Sequence, residues 1–140
     1  MARRGITFTF SAVLIAGISV QAVCLNGHPS VAKEYQTAKA VAVARVVSQR
    51  EVPETSDGFY YEGTMYTVQI DRIFRGNFGP EAEIFSENSS GRFPMVVGSV
   101  YLLFMDEPHN RLVVDYCGNS GILSKRVKEL REVERLARKR

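Results

Sequence analysis

Two cysteines, Cys24 and Cys117, two histidines, His28 and His109, and scattered serines and carboxylates are the groups any chemistry in this 140-residue chain would use. A metal site needs donors grouped on one turn. Neither Cys-x-x-Cys nor His-x-x-x-His spacing occurs, so no metal is expected. His28 precedes Pro29 in a polar stretch and His109 lies in the turn-forming run "DEPHN", where a solvated imidazole is the ordinary outcome. No Gly-x-Ser-x-Gly elbow presents a serine nucleophile, and a histidine base would have to be one of those two loop residues. The acidic pairs Asp106-Glu107 and Glu81-Glu83 read as solvated surface or as protection of a sheet edge. No Gly-x-x-x-x-Gly-Lys cradles a phosphate. The side chains thus imply no catalytic residue, no enzyme and no cofactor.

What remains is the cysteine pair. Two cysteines in an exported chain most often form a disulfide, two unpaired thiols or an intermolecular bridge being the alternatives. An internal bridge would close the loop from residue 24 to residue 117 and, by the chain-entropy argument, contribute about 4.7 kcal/mol.

Export is expected from the N-terminus. Residues 1–22 carry Arg3 and Arg4, an apolar stretch from Ile6 to Val20 and the small-residue ending Val20-Gln21-Ala22, the pattern of a secretory signal peptide. The stretch is short for a membrane span and is interrupted by Thr7, Thr9, Ser11 and Ser19. Nothing later in the sequence is long and apolar enough to span, so no stable membrane span is expected once the signal is removed. Cleavage after Ala22 leaves residues 23–140 as a single domain, secreted or periplasmic. It also removes two of the 18 basic residues and none of the 15 acidic ones, leaving 16 against 15. The charge is uneven: residues 124–140 hold eight Lys or Arg and three Glu, net +5, while residues 23–123 are net −4. Such a basic segment could touch anionic lipid or nucleic acid, but its glutamates fall at pairing distance from its cations, as Glu134 does from Arg138, so a solvated face is the expectation there. The acidic body argues against a nucleic-acid partner.

The elements that must position the cysteines are mostly strands. Ser30 can N-cap a short helix over Ser30–Lys39. Ala40–Ser48 is Val-rich and reads as a buried strand; Glu51–Gly58 is a loop. Thr64–Phe74 alternates, with Tyr66, Val68 and Ile70 on the core side. Glu81–Glu87 is a short strand, its charges pointing to an exposed edge. Asn88–Val97 is a loop, Val100–Met105 is apolar on both faces, and Arg111–Cys117 returns as its hairpin partner. Beyond Gly121 the period becomes helical, with Val127, Leu130, Val133 and Leu136 or Ala137 as a stripe and Ser124 as N-cap. Asn88-Ser89-Ser90 matches a glycosylation sequon.

The order of these parts, a cysteine just after the signal peptide, "VQIDRIFRGNFG", "GSVYLLF", a cysteine in "YCGNSGIL" and a closing helix, resembles the bacterial relatives of the tissue inhibitors of metalloproteinases, a netrin-like group of OB folds. The resemblance implies a mainly β protein: a five-stranded Greek-key OB-like barrel with a short N-terminal helix and an amphipathic C-terminal helix. It also implies a bridge from Cys24 to Cys117 at the barrel rim. In the animal inhibitors the mature N-terminal cysteine, here Cys24 by position, chelates the protease zinc. Cleavage after Ala22 leaves Val23 ahead of Cys24, and Asn26 stands where the animal proteins have a second cysteine.

The leading expectation is therefore a non-enzymatic exported module that contacts a protein partner through a rim of Val23, Cys24, Leu25, Gly118 and Asn119 with the loops Glu51–Gly58 and Asn88–Val97. The alternatives are a metalloproteinase inhibitor acting through Cys24, and an OB barrel that stacks oligosaccharide or nucleic acid on Tyr60, Tyr61 and neighbouring aromatics.

Overall fold

Alternating small and branched residues make the first strand two-sided. In β1 (Ala40–Pro53), Ala40, Ala42, Ala44 and Val46 turn to one face, Val41 and Val43 to the other, and all six are buried. The computed structural model describes residues 24–25, 27–53 and 61–139, Tyr61 by its backbone alone. The expected leader over 1–22, Val23, Asn26, most of the loop expected over Glu51–Gly58 and the aromatics Phe59 and Tyr60 lie outside the described residues.

β1 pairs antiparallel with β2 (Tyr61–Arg75) on one side and with β4 (Val100–Asp106) on the other. Register shifts along the β1–β2 ladder, at Val41/Ala42, Val43/Ala44 and Val46/Ser48, add the local twist that lets one strand serve both neighbours. β2 pairs with β3 (Glu81–Glu87), β3 runs parallel to β5 (Leu112–Val114), and β5 returns to β4. The five strands thus close a ring in the order β1-β2-β3-β5-β4-β1 within a six-stranded mixed sheet. β6 (Gly121–Ile122) adds a short second partner to β4.

Inside the ring the alanines of β1 leave room for Tyr66, Val68, Ile84, Leu103 and Met105, and Met95 from the loop before β4 packs with them. Small residues facing large ones suit a closed sheet whose interior is narrow. Outside the ring, Val41, Val43, Leu102 and Phe104 meet Tyr35 of α1 (Val31–Thr37) and Val133 of α2 (Val127–Ala137). Burial on both faces explains the unbroken apolar run of β4, where Tyr101 to Met105 are each at most 3% exposed. A seven-residue helix is marginal alone. Ser30 Oγ accepts from Lys33 N, and the Tyr35 hydroxyl donates to the Phe74 carbonyl oxygen at 2.8 Å, tying α1 to β2.

The alternation expected for the second strand holds: Tyr66 and Val68 are buried and Ile70 packs on the same cluster. Four expectations are corrected. The strand Glu81–Glu87 is not a free edge, because β2 and β5 flank it on both sides. The strand expected over Arg111–Cys117 keeps only Leu112–Val114, since Asp115 breaks the ladder by turning its Oδ1 to accept from Cys117 N. Ser124 does not cap the last helix; it lies in a 3-10 turn over Leu123–Lys125, and α2 starts after Arg126. Glu134 reaches across to Arg72 of β2 at 2.9 Å, rather than remaining within the helix beside Arg138. At the end of β2, Gly76 takes φ +86°, and a Cβ there would press within 2.9 Å of the Lys39 carbonyl oxygen.

Candidate functional site

Cys24 and Cys117 are joined by a disulfide, with Cα atoms 5.7 Å apart. The junction exists because β4 has two short partners instead of one. β5 ends at Val114, β6 begins at Gly121, and the chain between them leaves the sheet to carry Cys117 outward. The missing rung is replaced by a side chain: Ser120, 3% exposed, accepts from Phe104 N through its Oγ at 2.8 Å. An unpaired amide at that depth would cost the ladder a full desolvation penalty, and the hydroxyl removes it.

The excursion is locked from beneath by Glu34 of α1. Its Oε2 accepts from Asn119 N at 2.8 Å and from Asn119 Nδ2 at 2.6 Å, and the same Nδ2 lies 3.0 Å from the Pro29 carbonyl oxygen. Burial raises the Glu34 carboxyl above the ordinary carboxylate range. The two Asn119 donors pull it back in part, and Asp115 and Asp106 add to the rise. Gly118 fits because a Cβ at that position would overlap Glu34 Oε1 and lie 3.0 Å from its Cδ. On the N-terminal side His28 Nδ1 donates to the Cys117 carbonyl oxygen at 2.8 Å. Residues on either side of the bridge are therefore held by hydrogen bonds as well as by the covalent link.

A groove of about 650 Å³ opens beside the bridge, lined among others by Cys24, His28, Val96, Tyr116, Gly118 and Ile122. The loop Asn88–Val97 forms one wall and is firmly held. Phe93 N donates to Ser86 Oγ at 2.9 Å, Val96 N donates to the Tyr101 hydroxyl at 2.9 Å, and the Phe93 ring meets Tyr101 edge-on at 6.2 Å. Met95, 4% exposed, plugs the ring, and Val96 is left 60% exposed. Leu25 is 92% exposed beside Cys24, and Tyr116 and Val97 are exposed as well. The other large apolar residues exposed among those described, Val47, Ile73 and Val127, come from three separate elements.

Of the expected rim residues, Cys24 and Gly118 line this groove, and Leu25, next in sequence to Cys24, is exposed. Asn119 turns inward to Glu34 and serves the scaffold. Of the loop expected over Glu51–Gly58, Glu51–Pro53 belong to β1. The expected loop Asn88–Val97 contributes Phe93, Pro94 and Val96 to the lining, and the structure adds Tyr116, which the sequence places in a strand.

A second groove, of about 740 Å³, runs between β3 and β5 and is lined by Phe85, Phe93, Val113, Arg92 and Arg111 among others. Its aromatic floor is partly roofed: the Arg111 guanidinium lies 4.8 Å from the Phe85 ring centroid and is paired to Glu62 at 2.6 Å. His109 and Asn110 on its border hold φ of +53° and +59° in the tight turn from β4 to β5, where both central residues must be left-handed. Among the described residues no group of three or more His, Cys, Asp or Glu is placed to hold a metal ion, and no helix is long and apolar enough to cross a membrane. No protein-family model matches this chain, and no curated protein matches its sequence.

Proposed function

We propose that this chain is a non-enzymatic exported module, built on a Greek-key OB-like barrel, that binds a protein partner through the disulfide rim. The closed ring with its parallel β3–β5 pairing supports the barrel reading. The disulfide supports export. The observation that carries the function is the exposure of Val96 and Tyr116, which line one groove, together with that of Leu25 and Val97, each the chain neighbour of a lining residue, Cys24 and Val96. Exposed apolar side chains grouped on a held backbone are the makings of a protein-binding patch, because the partner buries them without ordering a loop first. The fold alone would not assign this role.

A photo-crosslinking residue placed at Leu25 or Tyr116 in the exporting organism should capture a discrete partner, and one placed at Lys33 should not. Equal capture from all three positions, or from none, would overturn the reading. Cys24, partly exposed at the groove, favours metalloproteinase inhibition as the second reading. That reading requires an unmodified Cys24 at the mature terminus. The intact mass of the exported protein decides it: a chain starting at Val23 leaves the binding module, and one starting at Cys24 makes inhibition the leading reading.

A further inference from the structure

We propose that the outward face of α2 is a docking surface for an anionic lipid membrane. The helix buries Val133 fully and Leu130, Leu136 and Ala137 in part against the outside of the ring. At 3.6 residues per turn, Lys128, Arg131 and Arg135 of the helix and its C-cap Arg138 lie opposite that stripe, within roughly 100° of arc, and Lys139 follows in the turn beyond. All five are exposed, with Val127 beside them at 46%.

The three glutamates of the helix do not neutralise this face. Glu134 is drawn to Arg72 at 2.9 Å, and Glu129 lies 3.5 Å from Arg126 at the helix start. Only Glu132 pairs with a member of the row, Arg135, whose Nε donates to it at 2.8 Å. Lys139 also lies within the field of Glu132, but among the described residues Lys128, Arg131 and Arg138 face solvent with no carboxylate paired to them.

Charge and shape select the occupant. Residues 23–123 are net −4, so an anionic surface repels the body and attracts the helix, which fixes one orientation. The row is a convex ridge about 15 Å long, counted at 1.5 Å per residue from Lys128 to the C-cap Arg138. It has no aromatic side chain to stack a base or sugar and no groove to follow a strand. A flat array of anionic headgroups requires neither feature.

The test is co-sedimentation of the full chain with vesicles of phosphatidylcholine alone or mixed with phosphatidylglycerol, at ~0.15 M and ~1 M salt. The chain should partition onto the mixed vesicles at the lower salt and leave them at the higher. The K128Q/R131Q variant should lose about fivefold in partitioning per cation removed, roughly twenty-five-fold in all, while K33Q/R92Q, equal in charge, should stay close to the parent. Glutamine keeps helix propensity and neither cation packs in the core, so circular dichroism should be unchanged. Binding to neutral vesicles as strong as to mixed ones would overturn the proposal. So would equal loss in the two variants, or retention on a sulfated polysaccharide column without any vesicle binding.

Discussion

Gly118→Ala tests whether Glu34 locks the disulfide excursion. A Cβ at residue 118 would overlap Glu34 Oε1 and lie 3.3 Å from the Asp115 carbonyl oxygen, so the carboxylate must move. A free carboxylate would move at little cost, but this one accepts from Asn119 N and Nδ2 at 2.8 and 2.6 Å. Displacement strands those donors. Hydrogen bonds to a charged group are each worth about 1.5–3 kcal/mol, reduced here because the displaced carboxylate regains water. The expected cost is about 1–2 kcal/mol. Glu34→Ala should cost a similar amount alone, by losing the same bonds. With the carboxylate gone only the Asp115 carbonyl oxygen, at 3.3 Å, still crowds the alanine at 118, so Gly118→Ala should cost well under half as much in the Glu34→Ala background. The double-mutant cycle should show a coupling of more than half the cost of Gly118→Ala alone. Urea unfolding of the four oxidised proteins measures it, with equal m-values as the check that the denatured state is unchanged. If Gly118→Ala costs as much without Glu34 as with it, the lock is wrong and the glycine is required for its backbone.

Three further outcomes are expected. Ser120→Ala should cost about 1–3 kcal/mol by leaving Phe104 N unpaired, and hydrogen exchange should find that amide losing protection while Tyr101 to Leu103 keep theirs. Reducing the disulfide should lower unfolding stability by about 2–5 kcal/mol while far-UV circular dichroism stays that of the parent, because the ring ladder does not pass through either cysteine. The raised carboxyl of Glu34 makes its protonated form the one the fold prefers, so its stabilising contribution is full below the unfolded pKa and is lost as pH rises through the folded value. The melting temperature of the parent minus that of Glu34→Gln should therefore fall as pH rises from mildly acidic to neutral; a difference independent of pH would refute this.

How far the sequence could be read depends on how far apart the interacting residues lie. The first four strands are legible because burial on one or both faces leaves a local period, as Tyr66, Val68 and Ile70 show in β2 and the run Tyr101 to Met105 shows in β4. The cap of α1 is equally local, three residues separating donor from acceptor. The parallel contact of β3 with β5 is not local. It rests on Ile84 opposite Leu112 and Phe85 opposite Val113, and nothing near Glu81 distinguishes a strand paired on both sides from an edge. β6 is two residues long, below any period. At the rim the cysteines and the loop Asn88–Val97 are legible, but Tyr116 reads as part of a strand until Asp115 ends the ladder, and the partner of Asn119 lies 85 positions away in α1.

One break in the sheet accounts for both the bridge and the rim. Between Val114, opposite Met105, and Gly121, opposite Leu102, six residues face only Leu103 and Phe104 of β4, so the chain must leave the sheet, and that excursion carries Cys117 to Cys24. The break leaves an amide of β4 without a ladder partner, which a hydroxyl at residue 120 satisfies. It also leaves a loop that needs fixing, which Glu34 achieves through Asn119 and, from the other side, His28 through the Cys117 carbonyl. The groove wall opposite is fixed by Tyr101, whose ring is buried in the sheet interior while its hydroxyl holds Val96 N. Both walls thus take their positions from β4, one through Phe104 and the other through Tyr101. The spacing between Val96 and Tyr116 is then set by the most buried strand of the molecule, which is the condition for a surface patch to meet a partner without rearrangement.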